Sequence, residues 1–239
     1  PVELFDAEEW ILENGVKVVY KKADYEKDNV SLYAHSDGGT SLYDVKDLSN
    51  AENAAVFTNA YGVGEFNAIK LKKALAGKMA SCGTSIGTNN EVVTGSATPQ
   101  DLETMFQLLY LRFTSPRMDE EKFESILNQN LANVDKICKN PNKIIQDSID
   151  FITSNYSPRT QPLSRKYLES LKMEKMYEIY KERFGNAADF TFFIVGNVDA
   201  KDLKPLVEKY LGSLPTSDER EDWVDNNVRS PKGIVKKVI

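Results

Sequence analysis

The stretch KMASCGTSIGTNNEVVTGSATPQDLETMFQLLYLRFTSP, residues 78–116, sets the fold class. Residues 78–88 and 91–98 are two strand-like runs that meet at Asn89-Asn90, a turn signal, and they predict an antiparallel pair. Thr98-Pro99-Gln100-Asp101 then opens a helix. It offers a hydroxyl for the N-cap, a proline in the first turn and a carboxylate at the positive end of the dipole. Leu102, Phe106, Leu109 and Phe113 lie along one side of that helix, and Ser115-Pro116 ends it.

Working upstream, VKVVYKK (16–22) and VSLYAHSDGG (30–39) are rich in β-branched and aromatic residues and predict strands, the first introduced by the turn pair Asn14-Gly15. Residues 48–60 predict a helix with small apolar residues at Ala51, Ala54 and Ala55. A second helix runs from Phe66 to Leu75 and stops at Gly77. Downstream, Asp119 caps a long helix carrying Phe123, Leu127, Leu131, Val134 and Cys138. Asn140-Pro141 breaks it and starts another with Ile145, Ile149 and Ile152 along one side. Residues 154–162, SNYSPRTQP, predict a loop. Met173, Met176, Tyr177, Tyr180 and Phe184 give a further amphipathic helix that stops at Gly185. DFTFFIVG (189–196) is nearly continuously apolar and predicts a central strand buried on both faces. Asp199 caps a last helix that reaches Leu211-Gly212. Beyond it, residues 216–231 are polar and aperiodic, and GIVKKVI (233–239) alternates again, as if to pair with a sheet edge or lead into another domain. The expected organisation is one α+β domain over residues 1–215, a mostly antiparallel sheet with helices packed on it, followed by a linker and strand over 216–239.

A chain of 239 residues buries roughly 70–75% of its unfolded surface on folding, so its core needs no disulfide or metal. The apolar share is 41%, the charged share 28% and the net charge −6, which argues against a nucleic-acid or anionic-membrane partner. The short basic run Lys70, Lys72, Lys73 reads as a solvated helix face. No apolar run approaches the roughly 20 residues of a membrane span. The chain begins at Pro1 without a signal peptide and ends in mid-pattern, and is therefore expected to be a segment of a longer polypeptide. Cys82 and Cys138 stand far apart and outside any C-x-x-C pair. They read as buried free thiols, with one disulfide as the alternative in an oxidising compartment.

Four stretches, in this order, carry a family resemblance. WILENGVKVVYKK (10–22) resembles the opening strand of domains in the pitrilysin/insulinase (M16) family of zinc proteases. HSDGGTSLYD (35–44) is similar to the Gly-rich end of that family's second strand. Residues 95–124 resemble the strand, helix and connection that follow, and residues 180–215 resemble the closing segment, with VGN before the last helix. The resemblance implies a metallohydrolase-like domain of the pitrilysin and processing-peptidase type, two or four to a chain, closing as two halves around a chamber. One such domain carries H-x-x-E-H on the helix after the second strand, where the two His and a Glu from a later helix hold Zn²⁺ and the motif's own Glu is the general base. Here the matching helix, residues 48–60, has no His. The chain's single His, His35, lies earlier, on a strand. In the downstream helix, where the third ligand belongs, Asp135 is the only carboxylate of LNQNLANVDKICKNP (127–141). A catalytic zinc takes three protein ligands, usually including His.

Other candidates read structurally. His35, Cys82 and Cys138 lack metal-ligand spacing. His35-Ser36-Asp37 cannot form a triad, because adjacent strand residues face opposite sides. The glycines of GVGEF and GTSIGT, and Gly77-Lys78, match no phosphate loop. Glu52 and Glu65 are not legible as an acid/base pair, and Asn155-Tyr156-Ser157 is a sequon of low specificity. Glu52, Asn53 and Asn59, on the helix where the metal ligands would sit, are the candidates for a surface lining the peptide chamber. The expectation is a non-catalytic domain with no catalytic or metal residues and no cofactor of its own, belonging to a larger zinc metalloendopeptidase whose zinc sits in another domain. The expected partners are the other domains of the same polypeptide and a peptide substrate. The resemblance also suggests export to the periplasm. The alternative is an interaction or scaffold subunit related to processing-peptidase core proteins, distinguished by whether an H-x-x-E-H helix lies on the same chain.

Overall fold

The structure, a computed structural model, describes residues 6–237. Its elements in chain order are β1 (Glu8–Ile11), β2 (Lys17–Lys22), β3 (Val30–Asp37), α1 (Leu48–Tyr61), β4 (Gly62–Val63), β5 (Phe66–Asn67), α2 (Ala68–Ala74), β6 (Ala80–Ile86), β7 (Asn90–Ala97), α3 (Leu102–Thr114), α4 (Glu120–Cys138), α5 (Pro141–Thr153), α6 (Arg165–Glu169), α7 (Met173–Arg183), β8 (Thr191–Gly196) and α8 (Ala200–Tyr210). The hairpin β6–β7 and helix α3 form where the local chemistry predicts them. The Thr98 hydroxyl accepts from the Asp101 amide at the entrance to α3. Asp119 and Asn140 cap α4 and α5 in the same way.

Six strands make one sheet in the order β1-β2-β8-β3-β7-β6. Every pairing is antiparallel except β2 with β8. β8 enters last in sequence yet inserts between β2 and β3, so the closing segment of the chain completes the middle of the sheet. Leu32 on β3 stands opposite Ile194 on one side and Gly95 on the other. With Val18, Ala34, Val93 and Phe192 it forms the covered face, on which α1, α3 and α7 contribute Ala51, Phe106, Leu109, Phe113, Ile179 and Tyr180. Phe113 is the hub of the aromatic packing, with ring centroids 5.4 Å from Phe190, 6.0 Å from Phe184 and 6.1 Å from Phe192.

One expectation is corrected here. β8 is central, but it is not buried on both faces. Phe192 and Ile194 are buried, whereas Phe193 remains 39% and Val195 42% exposed, beside Tyr33 at 44%. The helices cover only one side of this sheet, so the apolar run reflects the strand's central place and leaves an apolar patch on the open side.

Three features carried no clear local signal: the minimal hairpin β4–β5, the short helix α6 and the edge strand β1. Gly62 ends α1 at φ +101°, where a Cβ would stand 2.1 Å from the Phe66 carbonyl oxygen, so the tight β4–β5 turn requires glycine. Both cysteines are free thiols. Cys82 is half-buried on β6, and Cys138, at the end of α4, donates its S–H to the Leu163 carbonyl at 3.1 Å.

Residues 216–237 contain no helix or strand, and of the alternating run 233–239 the last two residues lie outside the described part. The segment is nevertheless fastened to the body. The Ser217 amide donates to Asn186, the Val224 amide donates to Ser41 Oγ at 2.9 Å, and Asn226 donates to the Ser41 carbonyl. Among the described residues no helix is long and apolar enough to cross a membrane.

Candidate functional site

Helix α1 positions all three of the chamber candidates, but its two halves do different things. Its N-terminal half meets α6. Glu52 Oε2 accepts from the Tyr167 hydroxyl at 2.6 Å, and Asn53 donates to the same hydroxyl at 2.8 Å and to the Ser49 carbonyl at 2.8 Å. Ser49 and Ser170 share a hydroxyl contact of 2.9 Å, while Asn50 accepts from the Lys172 amide at 2.7 Å and donates to the Ser170 carbonyl. Burial raises the Glu52 carboxyl above its ordinary range against the pull of Tyr167 and Arg159, although the residue as a whole is exposed. Beside this cluster lies a cavity of about 440 Å³ lined by Val45, Lys46, Ser49, Pro162, Tyr167 and Ser170.

Asn59 is not part of that cluster. It lies in the C-terminal half of α1 and faces β6, where its Nδ2 donates to the Thr84 carbonyl at 2.7 Å. Its Oδ1 accepts from the Thr84 hydroxyl at 3.2 Å and from the Thr84 amide at 3.4 Å. The structure therefore brings Glu52 and Asn53 together at Tyr167 and leaves Asn59 in a seam between helix and sheet.

The donors that α1 offers are amides, hydroxyls and one carboxylate; Ser49, Asn50, Glu52, Asn53 and Asn59 are engaged with protein partners, and the buried Tyr61 hydroxyl has none among the described residues. A catalytic zinc takes imidazole, thiolate or carboxylate from three residues and keeps a position open for water. The set does not fit that ion. Asp135 on α4 pairs with Arg165 at 3.0 Å. Among the described residues no group of three or more His, Cys, Asp or Glu side chains is placed to hold a metal. His35 lies on the open face of β3, 3.9 Å from Asp37, whereas Ser36 points to the covered face and donates to Asp189 at 3.0 Å. Glu65 sits exposed in the β4–β5 turn.

A second polar cluster was not anticipated. Arg183 and Glu91 have side chains only 1% exposed, with 3.5 Å between Arg183 Nη1 and Glu91 Oε1. Arg183 grips Glu221 with two bonds of 2.7 and 3.0 Å and donates through Nε to Tyr43. Glu91 Oε1 accepts from the Gly39 amide at 2.9 Å, and its Oε2 is buried with no hydrogen-bond partner among the described residues. Burial pushes the Glu91 carboxyl up to about 7. That desolvation dominates because Arg183 spends its best geometry on Glu221. The signal was present in the alternation, since Glu91 stands two residues before the inward-facing Val93. Its cation Arg183, however, lies 92 positions downstream, and the carboxylate that Arg183 grips, Glu221, lies 130 positions downstream, beyond any local pattern.

Residues 170–238 match the family described as the peptidase M16 inactive domain. The probable zinc protease PqqL of Escherichia coli is 26% identical over 208 residues, covering 87% of this chain and 22% of that protein. The crystal structure of the periplasmic protease PqqL from E. coli superposes with a TM-score of 0.79 at 23% identity, over 94% of this chain and 25% of that one. A peptidase M16 inactive domain from Pseudomonas fluorescens gives a TM-score of 0.68 at 16% identity, over 91% of this chain and 54% of its own. The chain thus spans about a fifth to a quarter of the length of the curated relatives it matches.

Proposed function

We propose that this chain, whose residues 170–238 match the M16 inactive-domain family, is a non-catalytic domain of a larger zinc metalloendopeptidase of the pitrilysin and insulinase group and that its work is architectural. The carrying observation is the chemistry of α1, whose position in the family's catalytic domains holds H-x-x-E-H and whose side chains here are Ser49, Asn50, Glu52 and Asn53, bonded to α6 and its flanks. In this reading the zinc and the general base belong to another domain of the same polypeptide. This domain packs beside a neighbour and forms part of the wall of a chamber that holds an extended peptide. The apolar patch of Tyr33, Phe193 and Val195 on the uncovered sheet face supports packing against a neighbouring domain. Glu52 and Asn53, beside the 440 Å³ cavity, are the residues proposed to face the chamber. Export to the periplasm is part of the proposal and follows from the similarity to PqqL.

Zinc analysis and a peptide-cleavage assay on the purified 239-residue chain test the reading. The expected result is no stoichiometric zinc and no turnover. Tightly bound zinc accompanied by cleavage would overturn it. Whether an H-x-x-E-H helix is encoded on the same polypeptide separates this reading from that of a stand-alone scaffold subunit.

A further inference from the structure

β6 is the last strand of the sheet, and an end strand presents unpaired amides and carbonyls that invite another chain. Which groups point outward follows from the ladder. The Met79 carbonyl accepts from the Thr98 amide at 3.0 Å, and the Gly87 amide donates to the Asn90 carbonyl at 2.7 Å. Hydrogen-bonded pairs alternate along an antiparallel ladder. Ser81, Gly83 and Ser85 therefore pair with β7, and Ala80, Cys82, Thr84 and Ile86 direct their backbone groups away from the sheet. Thr84 is one of the two inner residues of these four, and Asn59 meets both of its groups, donating to the carbonyl at 2.7 Å and accepting from the amide at 3.4 Å. An asparagine side chain is a primary amide, so it supplies the donor and acceptor that the peptide group of an added strand would supply. Its amide also stands only one methylene from the helix backbone. The body of α1 therefore lies alongside the lane, about 4.8 Å from β6, that a seventh strand would occupy. The Thr84 side chain closes the seam from within, donating to Asn59 Oδ1 at 3.2 Å and meeting the Tyr180 hydroxyl at 3.1 Å.

We infer that Asn59 seals the outer edge of the sheet against strand addition, so that neither an extended peptide nor a second copy of this chain pairs along β6. The inference goes beyond the chamber reading and holds whether or not that reading does, because it rests on the geometry of α1 and β6 alone. It also narrows how a peptide can be held, since a peptide lying on this domain would have to use another surface.

Amide hydrogen exchange measured residue by residue on the 239-residue chain tests it. In the wild type the Thr84 amide is expected to be protected although it points away from β7. In Asn59→Ala it is expected to exchange about tenfold faster, the effect of losing one hydrogen bond of ordinary net strength, while Gly83 and Ser85 keep their protection. Unprotected Thr84 in the wild type, or exchange unchanged in the variant, overturns the inference. If Asn59→Ala does not fold, the wild type decides alone. Titration with an extended peptide of alternating Val and Thr is expected to leave the exchange of Cys82 and Thr84 unchanged, and protection gained at either amide overturns the seal. Zinc content and peptide turnover, which judge the architectural reading, play no part in these measurements.

Discussion

At the scale of single residues, Glu91 has the clearest consequence. Its carboxyl is raised from 4.5 to about 7 by burial. Below pH 4.5 it is protonated in the folded and unfolded chain alike. Between those values the folded chain keeps a proton that the unfolded chain has lost, so raising the pH weakens the fold, and above about 7 the full cost of a buried charge is present. The predicted loss is on the order of 3 kcal/mol across that window. Glu91→Gln keeps an acceptor for the Gly39 amide and removes the titration. Denaturant unfolding of wild type and variant at pH 5 and pH 8 should therefore show a pH-dependent difference that is absent from the variant's own profile. Arg183 is the reciprocal case. Truncation to Ala leaves Glu91 buried without its cation and releases Glu221, at a predicted cost of about 3–5 kcal/mol, read by the same unfolding experiment.

Among the elements, α3 shows how local chemistry places a helix. Thr98 accepts from the Asp101 amide at 3.3 Å, and Asp101 is itself tied to Lys78 at 2.8 Å and to the Met79 amide at 2.8 Å, joining the start of the helix to the start of β6. Thr98→Ala is expected to lower the unfolding free energy by about 1 kcal/mol. Asp101→Ala should cost more, because it removes the cap region's link to the neighbouring strand as well. Thermal denaturation ranks the two. Helix α5 behaves differently. Ile144, Ile145 and Ile149 are each at least 41% exposed, so its predicted apolar side forms as a helix but does not enter the core. Substituting Ile149 by Ala should change stability by less than about 1 kcal/mol, against the 2–5 kcal/mol of a buried isoleucine.

For the whole molecule the decisive feature is a sheet covered on one side. Neighbours in sequence on β8 therefore have opposite fates. Phe192, fully buried among Phe113 and Phe190, should cost about 3–5 kcal/mol when cut to Ala. Phe193, facing out beside Tyr33, should tolerate Ser within about 1 kcal/mol in this chain. Equilibrium unfolding of both variants decides, and equal losses would mean that the open face is covered. The fastening of residues 216–237 belongs to the same scale. The clasp of Glu221 on Arg183 ties the segment expected to be a linker to the end of the sheet where Gly39 and Ser41 turn.

Sequence alone determined the α+β class, the β6–β7 hairpin, the capped starts of α3, α4 and α5 and the apolar character of β8, because these rest on hydrogen bonds and spacings within a few residues. The absence of a histidine from α1 was equally plain, as residue identity needs no coordinates. Tertiary structure decided the rest. It placed β8 between β2 and β3 and left one face of the sheet open. It divided α1 between the Glu52–Asn53–Tyr167 cluster and the Asn59–Thr84 seam, and it joined Glu91, Arg183 and Glu221 across the chain. Pairing between distant segments depends on which surfaces meet when the core is buried, and that information belongs to the packed chain as a whole rather than to any local run of residues.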